Sequence, residues 1–224
     1  MMSTHNGNRR GIYAITDEPT HSYRSWLAQA EAALEGGVVM MQFRSKILNP
    51  TAKKQYASGL LALCRQANVP LIINDDVALC RDLQADGVHL GRKDTDLPRA
   101  REILGVRSII GASCNNSIAR ARMARSLGAN YVAFGRFFAS TTKPDAPAAT
   151  TTVLTAAKQA LDIPVVAIGG INVDNGAPLI SAGADMLAVI SGLFGSDDIT
   201  GCARALADLF KTANSKDTAT VVCQ

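Results

Sequence analysis

Leu71-Ile72-Ile73-Asn74-Asp75-Asp76 is followed, a short helix-length segment later, by Asp86-Gly87-Val88-His89-Leu90-Gly91-Arg92-Lys93-Asp94. Each stretch is a brief apolar run that ends in polar side chains. A strand buried on both faces reads as such a run, without alternation, and that is the signature of a parallel sheet covered by helices. If both runs are parallel strands, Asn74, Asp75 and Asp94 emerge at the same edge of the sheet. Two carboxylates beside an amide form a candidate hard-cation site, because oxygen ligands suit Mg²⁺. Helix N-capping by Asp75, Asp76 or Asp96 is the alternative reading of the same acids.

The pattern repeats along the chain. Strands are expected at Gly11–Thr16, Val38–Phe43, Pro70–Asn74, Asp86–Gly91, Arg107–Ser113, Tyr131–Gly135, Pro164–Gly169 and Asp185–Ile190. The segments between them have helical spacing, as in Trp26, Leu27, Ala30, Ala33 and Leu34, or Leu60, Leu61, Cys64 and Ala67. Strand–helix alternation implies parallel strands with crossover helices. Eight such units in 224 residues point to an α/β fold, a single-domain (β/α)8 TIM barrel. A weak repeat agrees with this. Ala85-Asp86, Ala129-Asn130 and Ala184-Asp185 each lead into a strand, and Gly128 and Gly183 precede the last two copies. Such a glycine ends a helix in a left-handed cap. The barrel domain is expected over residues 11–211, between mobile ends at 1–10 and 212–224.

Composition narrows the function. Hydrophobic residues make up 47% of the chain, enough for a real core. The net charge of +4 comes from scattered basic residues with no aromatic-interleaved stripe, which argues against nucleic acid as a partner. The five cysteines are odd in number and widely spaced, as expected for reduced thiols in a cytoplasmic protein. No apolar run is long enough for a membrane span and the first residues carry no signal-peptide pattern. A homo-oligomer is left open.

In a barrel the chemistry sits where strands end. After the second strand comes Gln42-Phe43-Arg44-Ser45-Lys46. Alternation places Gln42, Arg44 and Lys46 on one face, toward the mouth, as a cationic set for phosphate oxygens. Ser113 follows the fifth strand, as a donor or a plain helix cap. The long loop after the sixth strand carries Ser140-Thr141-Thr142-Lys143, an anion-binding cluster on what reads as a lid. Gly169-Gly170 and Ile190-Ser191-Gly192 follow the seventh and eighth strands, where barrels commonly hold a phosphate on backbone N–H groups. His89 lies inside a strand and reads as a satisfied core histidine. The residues describe two anion sites: Arg44, Lys46, Lys143 and a cation on Asp75 and Asp94 form one, and a metal-free cradle at Gly169 and Ser191 forms the other. Two phosphorylated substrates, or one with two phosphates, would fill them.

From Gly11 to Phe194 the chain resembles the thiamine phosphate synthase family. The resemblance rests on Gly11-Ile12-Tyr13-Ala14-Ile15-Thr16-Asp17, Gln42-x-Arg44-x-Lys46, Ile73-Asn74-Asp75, Gly87-Val88-His89-Leu90-Gly91, Gly111-Ala112-Ser113 and Thr142-Lys143. Ala167-Ile168-Gly169-Gly170-Ile171 and Gly183-Ala184-Asp185 complete it. It implies condensation of a hydroxymethylpyrimidine diphosphate with a thiazole phosphate, releasing diphosphate, by a dissociative substitution. It also implies that Gln42, Phe43, Arg44, Ser45, Lys46, Asn74, Ser113 and Lys143 bind the pyrimidine diphosphate. Lys143, Ser113 and Arg44 are then the catalytic side chains. Asp75 and Asp94 hold one Mg²⁺, and Ser140, Thr141, Thr142, Gly169, Ile190 and Ser191 bind the thiazole phosphate. Three departures stand out. Ser140 replaces the usual Thr, Ser45 replaces a usual acid, and Arg92-Lys93 replace the common Gln-Glu before Asp94. Two other readings are open to the same barrel: a relative acting on the thiazole phosphate alone, which would not need the diphosphate set, and a phosphate-ligand sensor.

Overall fold

Ile12 and Ala14 leave strand β1 (Gly11–Ile15) on one side, and Tyr13 and Ile15 leave it on the other. This two-residue alternation sorts the apolar side chains into two layers. One layer packs between strands and helices and includes Met41, Phe43, Leu71, Ile73, Val88 and Leu187. The other fills the interior and includes Tyr13, Met40, Ile72, Tyr131, Val166 and Met186. Strands buried on both faces are what a continuous apolar run encodes.

A computed structural model of the chain describes residues 9–91, 96–139 and 148–220, with side chains through residue 212. Strand β1 is followed by β2 (Met40–Phe43), β3 (Leu71–Asn74), β4 (Gly87–Leu90), β5 (Ile109–Asn115), β6 (Tyr131–Phe134), β7 (Val165–Ile168) and β8 (Met186–Val189). They form a closed barrel in sequence order, and every described pairing is parallel. Pairing of β1 with β8, Gly11 opposite Met186, closes it. Helices α1 (Tyr23–Glu35), α2 (Pro50–Gln66), α3 (Val77–Leu83), α4 (Leu97–Leu104), α5 (Ile118–Ser126), α6 (Thr151–Ala160), α7 (Ala177–Ser181), α8 (Ser191–Phe194) and α9 (Ile199–Thr220) surround it. The expected single-domain TIM barrel is the observed fold. The boundary expected at residue 211 falls inside α9, which continues to Thr220. No described helix is long and apolar enough to cross a membrane.

The capping alternatives divide cleanly. Asp76 accepts from the Leu79 N–H to start α3, and Asp96 accepts from the Arg99 N–H to start α4, with Pro98 in its first turn. Asp75 caps neither helix. Gly128 (φ +90°) and Gly183 (φ +110°) are left-handed residues just past α5 and α7, and Gln84 (φ +52°) takes that role in the first copy of the repeat.

The repeat itself is a set of strand pins. Asp86 accepts from the Leu71 N–H, Asn130 from the Ile110 N–H and Asp185 from the Val165 N–H, each at 2.8 Å. In each case a side chain at the entry of one strand satisfies a backbone donor of the strand before it. Asp185 is buried and also takes two hydrogen bonds from Lys158 Nζ, at 2.9 and 3.0 Å. Asp185→Ala should cost about 2–3 kcal/mol, because a buried N–H and a lysine lose their acceptor together. Asp185→Asn, the side chain already used at position 130, should cost under about 1 kcal/mol. Denaturant unfolding of the two variants checks the contrast, and equal losses would refute it.

A buried thiol supports the same framework: Cys80 Sγ–H donates to the Gly87 carbonyl at 3.2 Å, beside the Asp86 pin. Cys64, Cys80 and Cys114 are buried and free, and burial pushes each thiol up to about 12. Such groups are protonated and unreactive at neutral pH.

Candidate active site

A cavity of about 440 Å³ lies at the C-terminal ends of the strands, and Gln42, Arg44, Lys46, Asn74, Asp75 and Ser113 all line it. Gly169, Ile190 and Ser191, from the ends of β7 and β8, line it too. The structure thus brings to one place the described residues expected of both anion sites. Asp94, Ser140, Thr141, Thr142 and Lys143, and the departures at Arg92-Lys93, lie outside the described residues.

The floor is a chain of hydrogen bonds across the barrel. Gln42 Nε2 donates to Tyr13 Oη at 2.6 Å, and the Tyr13 and Tyr131 hydroxyls are 2.7 Å apart. Tyr131 Oη lies 2.9 Å from His89 Nδ1, and His89 Nε2 lies 2.9 Å from Ser113 Oγ. Each member points inward because of its register on its strand. Tyr13 and Tyr131 meet edge to face with centroids 5.7 Å apart, and His89 stacks on Tyr131. Burial pushes both tyrosine hydroxyls well above their ordinary pKa, so they stay protonated and orient their neighbours. His89 is satisfied at both ring nitrogens, as expected, yet it also borders the cavity.

One wall carries charge. Arg44 and Lys46 leave the end of β2 two residues apart, on the face that Gln42 shares. Phe43 lies between them in sequence and points the other way. It packs edge-on against Trp26 at 6.0 Å in the layer under the helices, so its side chain does not border the cavity. Ser45 also lies off the main cavity, in a recess beside it that Lys46, Asn74 and Asp75 share. Asp75 sits at the end of β3 with φ +64°, a conformation that Asp and Asn tolerate better than most side chains. Its N–H donates to the His89 carbonyl at 2.9 Å, and Asn74 Nδ2 donates to its Oδ2 at 2.7 Å.

Another part of the lining is backbone. Gly169 has φ +110°, and a side chain there would run into the Arg136 backbone, 2.7 Å from its Cα. The glycine is therefore set by the loop after β6. Gly169→Val should lower stability by about 2–4 kcal/mol, as for a strained, overpacked site, and should weaken anion binding; thermal unfolding beside inorganic phosphate titration would show both.

Sequence reasoning missed Tyr13, Tyr131 and Arg136, all close to this site. Tyr131 reads only as a strand residue and Tyr13 only as part of a strand motif, although a polar tip on an inward strand position is a signal for a buried partner. Arg136 directly follows a strand end, the same signal that marked Arg44.

A family model described as thiamine monophosphate synthase matches residues 12–193. A curated thiamine-phosphate synthase of Methylobacillus flagellatus is 51% identical over 201 residues, 90% of this chain and 95% of the relative. That of Thiobacillus denitrificans is 50% identical, over 89% of this chain and 94% of the relative. The solved thiamine phosphate pyrophosphorylase of Pyrococcus furiosus superposes with a TM-score of 0.82 at 32% identity, covering 92% of this chain and 98% of that one.

Proposed function

The chain belongs to the thiamine monophosphate synthase family, and from that premise we propose that it joins a hydroxymethylpyrimidine diphosphate to a thiazole phosphate. It is an enzyme, a transferase of the thiamine-phosphate synthase type. The observation that carries the substrate reading is that Arg44 and Lys46 share one cavity with the glycine-rich ends of β7 and β8. An enzyme acting on the thiazole phosphate alone has no use for the two cations.

The residues have separable tasks. Gln42 and Ser113, held at the two ends of the hydrogen-bonded floor, orient the aminopyrimidine. Arg44 and Lys46 receive the diphosphate. The C–O bond to the methylene breaks ahead of attack and its electron pair leaves on the diphosphate. The electron-rich ring spreads the resulting positive charge, and the thiazole nitrogen lone pair forms the new C–N bond. The protein contributes positioning and electrostatic stabilisation, with no covalent nucleophile. Lys143 is proposed to add a further cation to the diphosphate. Ser140, Thr141 and Thr142 are proposed to bind the thiazole phosphate with Gly169, Ile190 and Ser191.

The donor set fits Mg²⁺. Asp75 offers hard carboxylate oxygens on the cavity wall, steadied by Asn74, and Mg²⁺ is usually held by one or two carboxylates plus substrate phosphates. No described group of three or more acidic, His or Cys side chains could hold a metal without such help. Asp75 and Asp94 are proposed as its protein ligands. When bound, the ion would neutralise charge on the departing diphosphate.

The test is direct. Both substrates with Mg²⁺ should give thiamine phosphate, read by fluorescence after oxidation. Product formation should need both substrates and should fall at least about tenfold in excess chelator. Full activity in chelator would remove the metal from the scheme, and no product from the pair would overturn the substrate assignment.

A further inference from the structure

The segment that carries Arg44 and Lys46 is held by the loop between β1 and α1. Glu18 in that loop makes the contacts. Its Oε2 accepts from Ser45 Oγ at 2.6 Å, and its Oε1 accepts from the Lys46 N–H at 2.8 Å. Arg44 Nη1 lies 3.9 Å from the same Oε1. Thr16, two residues earlier, accepts from the Arg44 N–H at 3.0 Å and donates to the Arg44 carbonyl at 3.3 Å. The clamping loop is itself anchored, since the buried Trp26 donates its Nε1–H to the Asp17 carbonyl. Ser45 then turns the chain by accepting from the Ile47 and Leu48 N–H groups. One carboxylate therefore reaches three consecutive residues, and the outer two border the cavity.

We propose that Glu18 is a positioning residue for diphosphate binding, acting through Arg44, Ser45 and Lys46. The acid that the family resemblance expects at position 45 is supplied here from 27 residues earlier in the chain, against the Ser45 hydroxyl. A carboxylate beside a diphosphate would repel it if it stood alone. Here the charge meets a backbone N–H, a hydroxyl and a guanidinium, so its effect is to hold the Arg44 side chain and the backbone from which Lys46 projects. Arg carries much rotamer freedom, and restricting it at Arg44 while fixing the Lys46 backbone beforehand lowers the cost of binding.

The inference rests on the reading that Arg44 and Lys46 take the diphosphate, and the experiment separates the two. Full-length Glu18→Ala, Glu18→Gln and Arg44→Ala are compared with the parent. The measurements are KM for each substrate and the affinity for inorganic diphosphate by calorimetry. Glu18→Ala should raise the pyrimidine diphosphate KM and weaken diphosphate binding about tenfold, as for loss of charge-assisted hydrogen bonds. The thiazole phosphate KM should stay within about twofold of the parent. Glu18→Gln, which keeps an acceptor for the Lys46 N–H, should recover part of the loss. Tighter diphosphate binding in Glu18→Ala, or an equal rise in both KM values with a lower melting temperature, would overturn the proposal. If Arg44→Ala weakens diphosphate binding and Glu18→Ala does not, the positioning role alone fails. If Arg44→Ala changes nothing, the substrate assignment falls with it.

Discussion

Asp75→Asn is expected to lower turnover roughly a hundredfold while leaving the melting temperature unchanged. Asn tolerates the left-handed φ of +64° that Asp75 adopts. Its amide oxygen can still accept from Asn74, so the turn after β3 survives. What disappears is one negative charge on the cavity wall. Charged hydrogen-bonding partners contribute about 1.5–3 kcal/mol, and each 1.36 kcal/mol is tenfold in rate. Titrating Mg²⁺ into the variant should show weaker activation and less tightening by the pyrimidine diphosphate. Asp76→Ala is the matched control. It removes the cap of α3 at a cost of about 1 kcal/mol of stability, with turnover kept. Parent-like turnover in Asp75→Asn would refute the assignment of Asp75 to the metal and diphosphate.

A single methyl group on Gly111 should damage both fold and site. Gly111 of β5 stands in register between His89 of β4 and Tyr131 of β6. A Cβ there would lie 2.5 Å from Tyr131 Cε1 and would overlap Cζ and the hydroxyl as well. The ring is wholly buried and has nowhere to swing. Overpacking of this kind costs about 1–3 kcal/mol, and losing the Tyr131 hydrogen bonds to Tyr13 and His89 adds about 1–3 kcal/mol. Gly111→Ala should therefore lower the melting temperature by about 5–15 °C. It should also raise the pyrimidine diphosphate KM, because Ser113 loses the His89 that orients it. Calorimetry and steady-state kinetics on one preparation test both halves. An unchanged melting temperature would mean that the interior has room the packing does not show.

Much of this is legible in the amino-acid sequence. The apolar runs ending at Asn74 and Leu90 were parallel strands because burial on both faces leaves no polar alternation to mask them. The strand ends lay where expected to within a residue or two, so Gln42, Arg44, Lys46, Asn74, Asp75 and Ser113 were placed at the mouth by alternation and chain position. The Asp96-Leu97-Pro98 cap was equally local, needing only the neighbouring backbone N–H groups. Asp75 and Asp76 could not be separated in that way. Both follow the same strand, and which one caps α3 depends on the left-handed turn at Asp75.

The remaining features depend on residues far apart in the chain. Tyr13 and Tyr131 share a hydrogen bond across 118 positions, and His89 joins them from a third strand. Periodicity reports which face a side chain takes, and it says nothing of which polar tip meets which other across the barrel. Phe43 shows the same limit in reverse: its motif placed it in the site, and the pleat turned its ring toward Trp26. The need for glycine at position 169 came from Arg136, on the preceding strand's loop. The hold of Glu18 on Arg44, Ser45 and Lys46 exists because β1 and β2 are neighbours in the closed barrel. Local spacing encodes strands, caps and the direction of a side chain. Contacts between separate strands arise when the sheet closes, because closure brings together inward positions that have no spacing in common.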